Sequence, residues 1–502
     1  MRLARVWGVA GAVWAGVLAG PAGAAAPGTG IDIVEAVRST LALNPSVRLA
    51  VQSVEAARGG HLVDSAIFDL QLSSNGSARR THTTDAVGAE ALQRQYAYSL
   101  GASRLFRNGV SLQQSLSLSR TGLSTQPGAA ALNTSSVGLT ASVPLLRDRA
   151  GVSSAAAERA ALLDLESSRL SLRHTTARVV LSAVTAYWDY LSAQRRLEVF
   201  RGSEERARST VEQTRALVQA EERTPADLTQ VLGNLASKKA TRISAEQGVV
   251  DARQQLGLAM GLPAEAIPSL PAAATDFPEP RGDVSPDAVL IARALAGRAD
   301  LLAAENDLRA AEALLQGAKS DLRPRLDLTA GTGYTAVDGG LGWGNFVGPL
   351  FRESPKLDAS LALSFQFPTA NSRARGRLLA SSAAHEQQRI LREDLARSIE
   401  SAVSVAVQAL RRASEGTLES AEAARLSAST VQAEQRKFEL GVSTLFDVIQ
   451  AQDGLTSALL SDIQSRRNYA VAVSTLRFQA GLLVQGEPEA PAVDGPSLLT
   501  PP

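Results

Sequence analysis

The sequence predicts a mainly α-helical protein that also carries a membrane β-barrel, with long antiparallel helices enclosing a tunnel and the whole plan laid down twice in one chain. Three observations predict it: two proline-free helical runs far longer than a compact domain needs, several alternating strand-length segments, and an export-type N-terminus followed by no stretch apolar enough to cross a membrane as a helix.

The N-terminus sets the compartment. Arg2 and Arg5 precede an apolar run from Val6 to Leu18, and small residues follow at 22–26. A charged head, a short apolar middle and an A-x-A end predict a cleaved secretory signal over 1–26. About a dozen apolar residues is too short for a membrane anchor. A mature chain without an apolar helix enters a membrane only as a closed barrel, because every backbone polar group in lipid must be paired.

Composition excludes several classes. The chain has 502 residues, a net charge of +1 and 45% hydrophobic residues, with no cysteine. Disulfides, thiolate metal sites, a cysteine nucleophile and a lipid-bearing cysteine are therefore ruled out. Near-neutral charge gives no basic face for nucleic acid. The four histidines, His61, His82, His174 and His385, lie too far apart in sequence for ligand spacing, so no metal or other cofactor is expected.

The duplication is visible in order and spacing. Asn44-Pro45 opens a helix whose counterpart begins at Arg298-Ala299-Asp300. Each leads into a short alternating strand, at 70–72 and 326–328, and a second strand closes each β segment at 143–145 and 365–367. The first repeat is predicted over 27–261, with a β segment at 66–148, a long helix at 151–222 and a helix at 225–261. A Pro-rich linker covers 262–286. The second repeat spans 287–485, with a β segment at 324–368, a long helix at 372–440 and a helix at 444–483. A disordered tail is expected over 486–502, from its Pro and Gly content.

Helical runs of about 70 residues make rods of about 100 Å at 1.5 Å per residue. Such lengths imply a coiled coil or a helical barrel. Small residues, as in Ala155-Ala156-Ala157 and Ser381-Ser382-Ala383-Ala384, let neighbouring rods lie close. The strands alternate: Leu357, Ala359, Leu361, Leu363, Phe365 and Phe367 share one face, against Asp358, Ser360, Ser364 and Gln366. Val110, Leu112, Leu116 and Leu118 alternate likewise with serines and Gln113. Segments of about ten residues, apolar outward and polar inward, suit a transmembrane barrel, although a half-buried soluble strand has the same pattern. Phe68, Tyr96, Tyr98, Phe106, Tyr334, Trp343, Phe346 and Phe351 fall near strand ends, as an interfacial aromatic girdle or as core packing.

The chain resembles the TolC-like outer-membrane efflux and secretion family over 31–483. The residues that carry the resemblance are Asn44-Pro45, Pro144-Leu145-Leu146-Arg147, Ala186-Tyr187-Trp188-Asp189-Tyr190-Leu191 and the run from Phe438 to Gln452. The resemblance implies a homotrimer in which each protomer gives four strands to one shared barrel in outer-membrane lipid and paired long helices to one periplasmic tunnel. It also implies a passive conduit for drugs, metals or polypeptides, docked on a periplasmic adaptor and an inner-membrane transporter. One departure stands out: the first β segment is much longer than the second. It holds an extra hairpin at 95–121 around Arg107-Asn108-Gly109, a strong turn signal between alternating runs. Such a hairpin either projects outside the cell or adds strands to the barrel.

The break in each helical pair falls at the end farthest from the membrane. Thr224-x-x-Asp227 and Thr444-x-x-Asp447 each have the form of a helix cap with an acid at the third position, and Pro225 suits the first. Two readings stand for Asp227 and Asp447: caps only, or caps that also form an acidic ring where three copies meet. The resemblance matches Asp447 to a position of such a ring, and places Gln450 where the family has a further acid, which weakens it. Gly441 supplies a tight turn, while Thr224, Leu440, Val442, Ser443 and Thr444 are candidate adaptor contacts. Tyr187 and Trp188, mid-rod, are expected to pack between helices.

Two other classes fit the sequence less well. A periplasmic coiled-coil adaptor or structural protein needs one hairpin and one β module, not the plan twice. An exported hydrolase needs a nucleophile–base pair, metal cluster or phosphate loop, and none is legible, so the chain is not expected to be an enzyme.

Overall fold

The computed structural model describes residues 30–84, 90–123, 131–281, 285–340, 342–348, 357–486 and 492–502. The expected signal segment and Phe351 lie outside them.

Two short helices open the chain, α1 (Ile33–Leu43) and α2 (Pro45–Ser65). Asn44 ends the first and starts the second: its side chain accepts from Ser46 N at 2.9 Å, with Pro45 at the first helical position, where no N–H is needed. Strands β1 (Gln71–Thr84), β2 (Glu90–Leu105), β3 (Ser111–Leu123) and β4 (Leu132–Pro144) follow. Then come α3 (Ala156–Gln219), α4 (Pro225–Met260), α5 (Asp287–Gly297), α6 (Ala299–Asp321) and β5 (Arg325–Gly339). The chain continues through a one-turn α7 (Trp343–Val347), β6 (Asp358–Gln366), α8 (Ser372–Glu439) and α9 (Leu445–Gln479). Helix pair, strands, long helix and second helix thus occur in the same order twice. The 64 residues of α3 and 68 of α8 make rods of about 100 Å.

The strands form one antiparallel sheet in the order β1-β2-β3-β4-β5-β6. Its register places Gly76, Tyr98, Leu118 and Ser135 side by side, and Ser74, Leu100, Leu116 and Val137 beside them. Leu139, Thr332 and Ala359 continue that face. One face therefore gathers most of the aliphatic and tyrosine side chains, broken at Gln114 and by Arg80, Arg94, Arg104 and Arg120 toward the strand ends, while serine, threonine, glycine and glutamine dominate the other. Leu72, Leu361, Leu363 and Phe365 on the apolar face are exposed.

Six described strands replace the four per protomer that the family resemblance implies. The extra hairpin belongs to the sheet: Leu105 pairs with Ser111 around the turn, and Phe106 N donates to Val110 O at 2.8 Å. Sequence alternation gives strands but not their neighbours, and the ladder supplies them.

The first rod begins later than residue 151. Asp148, Ala150 and Gly151 all have left-handed backbone angles, which an α-helix cannot contain. The tail also departs from expectation. Residues 496–498 form a 3-10 turn that buries Leu498, and Arg477 Nε donates to Thr500 O at 2.8 Å. Proline and glycine suppress regular structure without preventing a short segment from docking one leucine.

The main core surrounds Tyr187, Trp188, Ile33, Leu256 and Leu498. Tyr187 Oη donates to Ile31 O at 3.0 Å and accepts from Thr275 N at 2.9 Å. Tyr469 Oη accepts from Arg281 N at 2.9 Å. Two rod tyrosines thus fasten the Pro-rich linker to the middle of the helices. Phe68 is buried beneath Arg107, 5.0 Å from the guanidinium to the ring centre, so it packs at the sheet–rod junction and belongs to no girdle. No described helix is long and apolar enough to cross a membrane.

Candidate functional site: the tip of the helical hairpins

The two helix breaks have the same backbone build. Glu221 has φ +60° and Gly441 φ +72°, and in each a bond runs back five residues: Glu222 N to Leu217 O at 2.9 Å and Val442 N to Lys437 O at 2.9 Å. This is the glycine-type helix stop, formed in the first half by a glutamate.

After each stop comes a cap. The Asp447 carboxylate accepts from Thr444 N at 2.8 Å and Thr444 Oγ1 at 2.6 Å, and Asp447 N donates to Thr444 Oγ1 at 3.2 Å. The Asp227 carboxylate accepts from Thr224 N at 3.2 Å and Thr224 Oγ1 at 3.0 Å. Ser443 Oγ sits 2.8 Å from Glu434 and 3.3 Å from Asp447, so this half-buried hydroxyl is engaged within the turn. The Thr444 hydrogen bonds come first in holding the Asp447 carboxyl below its ordinary range, and Lys437 adds to them.

The turns are tied together. Leu445 and Val231 are buried with Val211 and Leu235, and Phe438 packs against them. Arg223, from the first turn, lies 5.1 Å above the Phe438 ring. Leu440, Val442 and Phe446 remain exposed at 78%, 76% and 60%, an apolar crest with no partner in the protomer. Gln450 is exposed on α9, one turn beyond Asp447.

Just above lies an ionic belt that sequence reasoning missed. Arg242 on α4 donates to Glu204 on α3 at 2.6 Å, Lys238 on α4 pairs with Asp453 on α9, and Arg206 on α3 donates to Thr456 on α9 at 3.1 Å. These pairs join residues of separate rods, so no spacing along one helix announces them. Among the described residues no group of three or more His, Asp or Glu could hold a metal ion.

Comparison with known proteins agrees with this architecture. Residues 290–482 match the outer membrane efflux protein family. The pyoverdine export outer membrane protein OpmQ of Pseudomonas putida is 28% identical over 317 residues, a match covering 62% of this chain and 63% of that protein. The chain so spans a little under two thirds of that relative's length. The fold is similar to a membrane protein from Pseudomonas aeruginosa, with TM-score 0.69, 19% identity and 91% of each chain covered. It is also similar to the CmeC outer membrane channel of Campylobacter jejuni, with TM-score 0.66, 14% identity and 89% of this chain and 85% of that chain covered. At these identities the likeness shows a shared fold, in which long helical rods continue a β-sheet. The sequence match to the efflux protein family falls in the second half, from α5 to α9.

Proposed function

We propose that three copies of this chain form an exit duct through the outer membrane, passively conducting cargo delivered by an inner-membrane transporter through a periplasmic adaptor. The observation that carries it is an open sheet with an exposed apolar face, continuous with rods of about 100 Å. A soluble protein does not leave so much contiguous apolar sheet in water, and lipid is the solvent that suits it. Six strands fall short of the eight that the smallest closed barrel needs. Strands β1 and β6 are free edges, their side chains exposed wherever described, and they run in opposite senses, so β6 of one copy pairs antiparallel with β1 of the next. The two halves then act as structural repeats around one tunnel.

At the far end, Asp227 and Asp447 from three copies form an acidic ring as well as capping their helices. Leu440, Val442 and Phe446 offer apolar contact to the adaptor, with Gly441 shaping the turn that presents them; Thr224, Ser443 and Thr444 serve the cap. Membrane fractionation tests the reading: the protein sediments with outer membranes and leaves them only in detergent, as a particle of three chains. Release by salt or carbonate as a monomer would instead favour a periplasmic coiled-coil adaptor.

A further inference from the structure

From the position of β2 and β3 we infer that the extra hairpin is barrel wall, so that the duct ends in a pore of about eighteen strands, wide, water-filled and indifferent to charge. The inference rests on the trimeric barrel proposed above and goes beyond it, because four strands per protomer would make about twelve.

Three features place the hairpin in the wall. First, β2 and β3 stand between β1 and β4 with unbroken ladders, from Gln71↔Ser103 to Thr84↔Glu90 and from Ser111↔Ser142 to Thr121↔Leu132. No described residue of β1 pairs with β4. Second, the hairpin continues both faces of the sheet. Tyr98, Leu100, Leu116 and Leu118 lie in the apolar rows, whereas Ser99, Gly101, Ser115 and Ser117 share the polar face with Ser136 and Gly138. Ser117 and Ser136 hydroxyls meet across that face at 2.7 Å.

Third, the turn is fastened where the sheet meets the rods, not free in solvent. Arg107 donates from Nε and Nη2 to the Glu158 carboxylate, at 2.9 and 2.6 Å, in the first turn of α3. A Cβ on Gly151 would fall 1.9 Å from Arg107 O, and one on Gly109 2.7 Å from Asp148 O, so the two loops touch backbone to backbone. A hairpin that descends the full height of the sheet and docks at its base is a pair of staves.

Diameter grows roughly in proportion to strand number, so about eighteen strands give about one and a half times the width of about twelve, in the range where barrels hold an aqueous channel. The polar face from Gln93 to Thr121 and across β4 carries no charged side chain, chiefly serine, threonine, glycine and glutamine, and on β1, β5 and β6 the same face adds Arg79, Arg325, Asp327 and Asp358, two of each sign. Such a mouth passes hydrated solutes of either sign. Selection by size and charge therefore sits at the hairpin tips, not at the exit.

The chain lacks cysteine, which permits a direct test with single-cysteine variants of the full trimer in phosphatidylethanolamine–phosphatidylglycerol vesicles. Nitroxides are placed at Leu100→Cys and Leu116→Cys, at Ser99→Cys and Ser117→Cys, and at Leu363→Cys on β6 as the reference. Leu100, Leu116 and Leu363 should be accessible to oxygen in lipid, and Ser99 and Ser117 to an aqueous nickel complex. Water at Leu100 and Leu116 with lipid at Leu363 overturns the wall assignment alone; water at all three overturns the barrel as well. Width is read at Ser136→Cys with maleimide–polyethylene glycols of increasing size. The cut-off radius should be about one and a half times larger in the full chain than in a trimer lacking 90–123. Equal cut-offs would overturn the widening, and the nitroxide measurement stands should the shortened chain fail to assemble.

Discussion

Asp447 caps its helix, and in the proposed trimer the same side chain also faces the conduction path. Its carboxylate is held by Thr444 and Ser443, and these bonds keep it ionised below its ordinary value of 3.8. A depressed carboxyl stabilises the fold fully above that ordinary value and loses the contribution as pH falls through the lower folded one. Cation preference at the tip should therefore stay flat from about pH 5 to 8 and decline only in stronger acid. Bilayer reversal potentials at graded pH check this, and a titration near neutrality would contradict the assignment. Tyr187 gives a second prediction. Tyr187→Phe leaves Ile31 O and Thr275 N without their buried partner, and should lower stability by about 1–3 kcal/mol in denaturant unfolding.

Among the elements, the two helix stops form a natural pair of controls. Glu221 occupies a left-handed position that favours glycine by about 1 kcal/mol, and Gly441 already has it. Glu221→Gly should slow hydrogen exchange at the Glu222 amide about fivefold, and Gly441→Ala should speed it at Val442 by a similar factor. Opposite changes would mean that side-chain contacts, not backbone angle, set the turns. The stops, caps, rods and alternating strands were legible because each depends on residues near in sequence: Thr444 and Asp447 sit three apart, and the Asn108-Gly109 turn joins its own strands. What was not legible depends on assembly across distance. The place of β2 and β3 between β1 and β4, the Lys238–Asp453 and Arg242–Glu204 pairs, and the docking of Leu498 each join segments whose relative register no local pattern encodes. Phe68 stood open between girdle and core packing for the same reason, since only the fold brings Arg107 over it.

For the whole molecule, the sheet and rods explain each other. An apolar sheet face needs lipid, polar rods of about 100 Å need water, and a chain joining the two end to end is suited to crossing a membrane and reaching far beyond it. The core around Tyr187 and Trp188 holds the middle of the rods, while the tips rely on a small cluster around Leu445 and on ionic pairs. An end held by few apolar contacts is the part most able to open. Weakening the belt by Lys238→Ala should raise the mean conductance of the assembled channel, with the trimer retained on a sizing column. An unchanged conductance would move the closing contacts to other residues.

The most direct test of the central claim is single-channel recording of the detergent-purified trimer in a planar bilayer. The account predicts a small, cation-preferring conductance whose preference weakens in Asp447→Ala and Asp227→Ala. A correctly assembled trimer that conducts nothing would contradict it.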